Sequence, residues 1–411
     1  MSLVDIWFVV LMKGRVAIVG YGETPYTRPR PERGQPRLTA EEYASWAMEL
    51  ALSSAGLSKS DFDGQGLGVT GTIYPHAEIW SAEVAQNLGI TPKMIIRADQ
   101  GGAAAASLLI QAALAIDAGL VDMFLCIAAD APLSMPTASA SGARTWRYEN
   151  DYMLPFGMMG PNSIFAFIMR RHMHQYGTKR EHTGKIAITQ RYHASMNPVA
   201  YLKTPITMDD YLSSRVIADP IHLLDCCIPV NGGLAFILAS KEKAKQITDK
   251  PVYLLGFGEC HNYTHGSKNR PDITYLGIVK AAPEAYKMAG IKPQDASFVE
   301  IYDDYTIAVL MQLEDLGFCK KGEGGKFVEQ TDISIHGQLP VNTHGGQLSA
   351  GQAGIGGGCS HIVEAARQLR EEAGQRQVKD AKIGIVTAIG GLAYGVNLVH
   401  NIVMVFGKEV K

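Results

Sequence analysis

Apolar and polar positions along this 411-residue chain switch between two spacings. Short apolar runs closed by glycine or polar residues predict buried strands at 16–20, 122–129, 232–240, 252–258, 297–301, 383–389 and 402–406. Longer amphipathic stretches predict helices at 40–54, 274–288, 304–316 and 351–371. Thr39 is the expected N-cap of the first of these, and Glu42 stands where a capping box needs it. The stretch 101–118 is different. It opens on Gly101-Gly102, continues Ala103-Ala104-Ala105-Ala106-Ser107 and then turns leucine- and isoleucine-rich. Small side chains on every face let other backbones approach, so this helix is expected at the centre.

The same order of elements recurs in the second half, where a glycine-rich start at Gly351 again leads into a helix and then a strand. Strands alternating with helices imply an α/β fold, layered helices over two mixed sheets on a duplicated βαβαβ core. Between the halves the pattern breaks down. Pro132, Met135, Pro136, Gly142, Pro155, Gly157, Gly160 and Pro161 mark a loop-rich insertion, followed by a helix containing Arg170-Arg171-His172-Met173-His174. Such an insertion supplies either substrate-facing surface or a packing module. The division expected is 14–131 and 220–245 for the first half, 132–219 for the insertion and 246–411 for the second half.

Composition narrows the function. A net charge of -2 gives no support to nucleic-acid binding, and 46% hydrophobic with 19% charged residues describes a soluble globular chain. The six cysteines show no CxxC spacing and read as reduced core thiols of a cytoplasmic protein. His261 and His265 beside Cys260 match no metal motif, so no metal is expected. The apolar opening 4–11 is too short for a membrane span and lacks signal-peptide features; Met12 is a plausible start of the fold. Neither a Walker A motif nor a dinucleotide fingerprint occurs.

Several segments together resemble the thiolase superfamily, in particular the branch associated with sterol carrier proteins. They are Val16 through Thr24, Leu224-Asp225-Cys226-Cys227 through Ile237, Phe298 through Phe318, Asn342-Thr343-His344-Gly345-Gly346 followed by Leu348-Ser349-Ala350-Gly351, and Gln368-Leu369-Arg370. The resemblance spans almost the whole chain and implies a thiolase-like fold and CoA-thioester chemistry. The customary catalytic residues are exchanged. Gly102 stands where the family has its nucleophilic cysteine, Tyr302 where it has a histidine, and Gln352 where a second histidine is usual. The final turn, Ala388-Ile389-Gly390-Gly391, has no cysteine.

Without a nucleophile an acyl-enzyme cannot form at its usual place, whereas retro-aldol cleavage of a β-hydroxyacyl-CoA needs none. The resemblance narrows to thiolase-like aldolases of steroid side-chain degradation, which likewise lack the cysteine and use tyrosine. It implies that Tyr302 is base or proton donor, with His344 expected to ease its ionisation and Gln352 to hold the thioester oxygen or a water. Asp303 and Asp304 are expected to cap the following helix, one of them orienting the site. Gly102 is expected to border the bound CoA thioester, and Arg170 and Arg171, with Lys179 and Arg180, are candidates for its phosphates. No tightly bound cofactor is expected beyond CoA itself, as part of the substrate or as co-substrate. The family further implies a homodimer and a small separate partner with a zinc ribbon and an OB-fold. A divergent β-ketoacyl-CoA thiolase, with aromatic acyl-CoAs among its candidate substrates and using a displaced cysteine or direct attack by CoA, and a non-catalytic scaffold remain as alternatives.

Overall fold

In the computed structural model the first half provides β1 (Val16–Glu23), α1 (Ala40–Ala55), β2 (Gly66–Thr70), α2 (Trp80–Leu88), β3 (Met94–Ala98), α3 (Ala104–Asp117) and β4 (Met123–Asp130). The insertion carries α4 (Gly160–Tyr176), α5 (Arg180–Ser195) and α6 (Met208–Ser213), after which β5 (Gly232–Ser240) returns to the first half. Then follow α7 (Lys241–Ile247), β6 (Val252–His261), α8 (Ile278–Ala289), β7 (Phe298–Glu300), α9 (Thr306–Asp315), α10 (Gly324–Gln330), α11 (Cys359–Leu369), β8 (Ile383–Ala393) and β9 (Asn397–Gly407). The structure describes residues 12–30, 37–73, 79–134, 149–158, 160–267, 269–393 and 397–410. The expectations for 4–11, Met135, Pro136 and Gly142 lie outside them.

The strands form a nine-stranded mixed sheet in the order β7-β8-β9-β6-β1-β5-β4-β2-β3. The two expected sheets are thus joined edge to edge. The seam is narrow, with only Ala17↔Tyr253 and Ile18↔Val252 paired between β1 and β6. Each half packs a helix on its strand by the same device. A Cβ on Gly20 of β1 would fall 2.8 Å from the carbonyl oxygen of Ala51 in α1, and one on Gly256 of β6 would fall 2.8 Å from the amide of Ala289 in α8. Glycine lets the helix backbone rest directly on the strand at equivalent places, which is the physical trace of the repeated plan.

The sequence-derived boundaries shift by a few residues. The capping box of Thr39 and Glu42 forms, with Thr39 N–H donating to Glu42 at 2.7 Å. The 101–118 stretch divides into a 3-10 turn at Gly101–Ala103 and α3, in which only Gln111 and Leu114 are exposed apart from the frayed end. The insertion is more helical than its composition implies. Helix α5 was not legible because its sequence is polar and holds Gly184. Its stability comes from packing: a Cβ at Gly184 would fall 2.7 Å from the Tyr211 ring and 2.8 Å from Met208 Sδ, so the glycine admits α6.

Candidate active site

Strand β7 is short and fully buried, and the chain leaves it at Ile301-Tyr302-Asp303-Asp304. This exit is clamped from three sides. The Asn342 side chain accepts from Ile301 N at 2.6 Å and donates to Ile301 O at 2.8 Å. Thr387 on β8 accepts from Tyr302 N at 3.1 Å and donates to Gln312 at 2.6 Å. Gln312 on α9 in turn donates to Tyr302 O at 2.7 Å. Each bond is worth about 1 kcal/mol net, and together they leave the tyrosine backbone one position.

The Tyr302 side chain is buried at 2% exposure and points at the start of the central helix. A Cβ on Gly102 would overlap the Tyr302 hydroxyl and lie 2.5 Å from Ile389 O. The phenol therefore occupies the volume that a side chain at 102 would need. Gly101, at φ +58°, and Gly390, within β8 where the sequence suggested a turn, bring the two backbones together at the same point, a Cβ on Gly390 falling 2.8 Å from Gly102 N. The absent nucleophile and the tyrosine are one structural fact.

Gln352 lines this site but is committed. Its Nε2 donates to Tyr302 Oη at 3.4 Å, and its Oε1 accepts from Cys227 Sγ at 3.1 Å. Asp225 fixes the adjoining Cys226-Cys227 segment by accepting from His222 N at 2.9 Å and from the hydroxyls of Tyr211 and Thr306. Gln347 also faces the phenol, although neither polar atom of its carboxamide is in hydrogen-bond geometry. Burial, then the neighbouring Asp304 and Cys227, push the phenol well above its ordinary value, against weaker opposition from Gln352 and Gln347. These surroundings favour the neutral phenol.

Two expectations are corrected. His344 is not the partner of Tyr302: its Nδ1 is 3.0 Å from Glu300 Oε2 and its Nε2 is 3.3 Å from Ser360 Oγ, which occupies both ring nitrogens. The histidine ring that approaches Tyr302 is His361, with centroids 6.1 Å apart. Nor does Asp303 cap α9, which has no side-chain cap. Instead it accepts from Gln347 N at 2.8 Å and Leu348 N at 3.1 Å, capping a helical turn at Gly346–Ala350. His361 lies between Asp303 (3.2 Å) and Glu300 (3.8 Å). Burial disfavours its charge, but these two carboxylates prevail and raise it to about 9. Burial likewise opposes ionisation of Glu300, yet His344 and His361 bring it down to about 2. Donor atoms of Glu300, His344 and His361 come within 4.8 Å of one another, a spacing that suits a metal. Within the cluster His344 meets Glu300 and His361 meets Asp303, contacts that hold the three side chains in place.

The sequence reading missed His361 and Gln347 as site members, and of Asp303 and Asp304 it expected one to orient the site without distinguishing them. The basic residues lie apart. Arg170 is exposed and paired with Asp219, Arg171 and Lys179 are exposed, and Arg180 donates to Leu212 O at 3.0 Å and Tyr211 O at 3.2 Å. All six cysteines are free. Burial raises the thiols of Cys126, Cys226, Cys227, Cys260, Cys319 and Cys359 above the ordinary value, so none has the character of an activated nucleophile.

A duplicated α/β core whose two glycine-rich helix starts meet at a site with no cysteine at the first helix start defines a thiolase-fold enzyme. Residues 258–407 match the thiolase C-terminal domain-like family. A steroid side-chain-cleaving aldolase of Thermomonospora curvata is 36% identical over 380 residues, covering 88% of this chain and 91% of the relative. The 17-hydroxy-3-oxo-4-pregnene-20-carboxyl-CoA lyase of Mycobacterium tuberculosis is 35% identical, covering 88% and 92%. The solved structure titled Ltp2-ChsH2(DUF35) aldolase superposes with a TM-score of 0.83 at 34% identity, covering 98% of this chain and all of that one. The chain belongs to the thiolase superfamily, in its sterol-carrier-protein branch.

Proposed function

We propose that this enzyme is an acyl-CoA carbon–carbon lyase that cleaves a bulky β-hydroxyacyl-CoA by a retro-aldol reaction, giving a shorter acyl-CoA and a carbonyl product. The observation that carries this is the Tyr302 hydroxyl filling the side-chain volume of Gly102. The lyase and aldolase relatives support the same reaction. The substrates named for these relatives make a steroid-like acyl group the substrate class we favour. The β-hydroxyl loses its proton, the bond between the α and β carbons breaks, and its electrons form the thioester enolate. Tyr302 donates a proton to the α carbon. The enolate oxygen lies toward the Gly101–Ala103 turn and the Gln347 carboxamide, where amide donors favour negative charge. Gln352 and Asp303 position Tyr302 and Gln347 respectively, while His344 supports them from behind through Glu300.

Arg171, and Arg170 if released from Asp219, are the CoA phosphate contacts in this reading. Among the described residues β3 is the outer strand of the sheet, with Ile95 exposed, and suits pairing with a second copy. Exposed Phe156 and Phe167 on the insertion suit cover by a separate small zinc-ribbon and OB-fold protein. Six unpaired thiols fit a cytoplasmic setting, and no helix among the described residues is long and apolar enough to cross a membrane.

The test supplies matched β-hydroxyacyl- and β-ketoacyl-CoAs, each with and without free CoA, and identifies products by mass. Cleavage of the hydroxy substrate without added CoA is expected. Cleavage of the keto substrate alone, strictly dependent on CoA, would return the enzyme to the thiolases.

A further inference from the structure

The retro-aldol step needs a proton acceptor for the β-hydroxyl, and most groups around Tyr302 do not supply it. Tyr302 is held as the neutral phenol, and Gln352 is an amide. His344 has both nitrogens occupied, and Asp303 is tied to two backbone amides. Glu300 accepts from Thr343 N at 3.0 Å and Thr343 Oγ1 at 2.8 Å besides pairing with His344. One carboxylate beside the phenol differs. Asp304 neighbours Tyr302, and its Oδ1 is enclosed without a hydrogen-bond partner. Its backbone oxygen accepts from Cys227 N at 2.7 Å, and the Cys226–Tyr305 bridge holds the two segments in register. The carboxylate is therefore fixed by its backbone while one oxygen is left uncommitted.

On the lyase reading, we propose that Asp304 is the catalytic base that takes the proton of the substrate's β-hydroxyl. The protons then close a cycle. Asp304 receives the hydroxyl proton as the carbonyl product forms and the C–C bond breaks. Tyr302 protonates the α carbon of the enolate, and its phenolate is reprotonated by the Asp304 carboxylic acid. Substrate is converted to acyl-CoA and carbonyl compound with no net proton, electron or co-reactant. The groups facing Asp304 suit it to the task. Burial first, and then the charge of Asp303, push the carboxyl up to about 7, against Tyr302 and the His361 imidazolium, which favour its ionised form. Cys227 and Tyr305, on the flanking elements, are held neutral. A base matched to neutral pH transfers protons efficiently in both directions.

The experiment follows CoA-free cleavage of a β-hydroxyacyl-CoA from pH 5.5 to 8.5 by wild-type enzyme and Asp304→Asn. We expect the wild-type kcat to fall about tenfold per pH unit below a midpoint near 7. Asp304→Asn is expected to lose about 10²–10⁴-fold in kcat, with KM within about threefold, an unchanged melting temperature and no acid limb. A wild-type rate flat across this range overturns the proposal, whether or not the variant folds. So does a variant that keeps more than a third of the activity and the same pH profile. Either result leaves the lyase reading standing, whereas a wild-type enzyme inert toward the hydroxy substrate removes that reading itself.

Discussion

The two glycine-rich helix starts, one from each half, occupy corresponding places in the repeat yet do opposite things. The first, Gly101–Ala103, contributes space: Gly102 has no side chain, and a residue of the other half fills the gap. The second, from Gly346 to Gly358, contributes groups. It is held from both halves, Asp303 binding the amides of Gln347 and Leu348 and Asp130 on β4 accepting from Ile355 N at 3.2 Å. It then presents Gln347 and Gln352 to Tyr302. The scaffold is symmetric and the chemistry is not. A duplicated fold can keep its packing devices, such as Gly20 and Gly256, while one helix start offers only backbone to the site.

Removing the hydroxyl of the filling residue is the strongest way to break this comparison. Tyr302→Phe keeps the ring in the Gly102 space and deletes the proton donor, so kcat is expected to fall about 10²–10⁴-fold with the fold intact, measured by cleavage rate and melting temperature. A scaffold subunit would be insensitive to it. Refilling the space comes next. Gly102→Cys places a side chain against Tyr302 and the Ile389 carbonyl and is expected to cost about 1–3 kcal/mol of stability, to abolish cleavage and to create no CoA-dependent thiolysis. Asp303→Ala leaves two buried amides unsatisfied at the second start and is expected to cost about 2–3 kcal/mol by denaturant unfolding, with activity falling alongside.

A smaller effect is expected from pH. His361 is raised to about 9, so the stability it contributes is complete below its ordinary value of 6.5 and is lost as pH rises through 9. Glu300 is lowered to about 2, so its contribution is complete above 4.5 and fades as pH falls toward 2. His361→Gln should therefore lose less melting temperature than the wild-type protein between about pH 6.5 and 9. The smallest change is expected from Cys227→Ala, within about threefold in kcat, because the thiol only donates to Gln352.

Much of the scaffold was legible in the sequence because its signals are local. The Thr39–Glu42 box, the small-residue centre of α3 and the apolar strands each sit within one short window. The site was legible in part. That Gly102 and Tyr302 had replaced the usual groups could be read from their motifs. That each is the reason for the other depends on a contact across 200 positions. Asp303 looked like a helix cap because it precedes a helix, but the amides it binds are 44 and 45 residues away. His344 looked available in its polar loop, while His361 was hidden inside an apolar helix pattern; only tertiary packing shows which ring lies by Tyr302.

The central claim is that carbon–carbon cleavage here proceeds without a covalent acyl-enzyme. Whole-protein mass spectrometry on samples quenched during turnover of a β-hydroxyacyl-CoA tests it most directly. The account predicts that acyl-CoA and carbonyl products accumulate while the protein mass stays unmodified throughout. An acyl adduct that appears and decays at the rate of turnover, on any of the six cysteines, would contradict it.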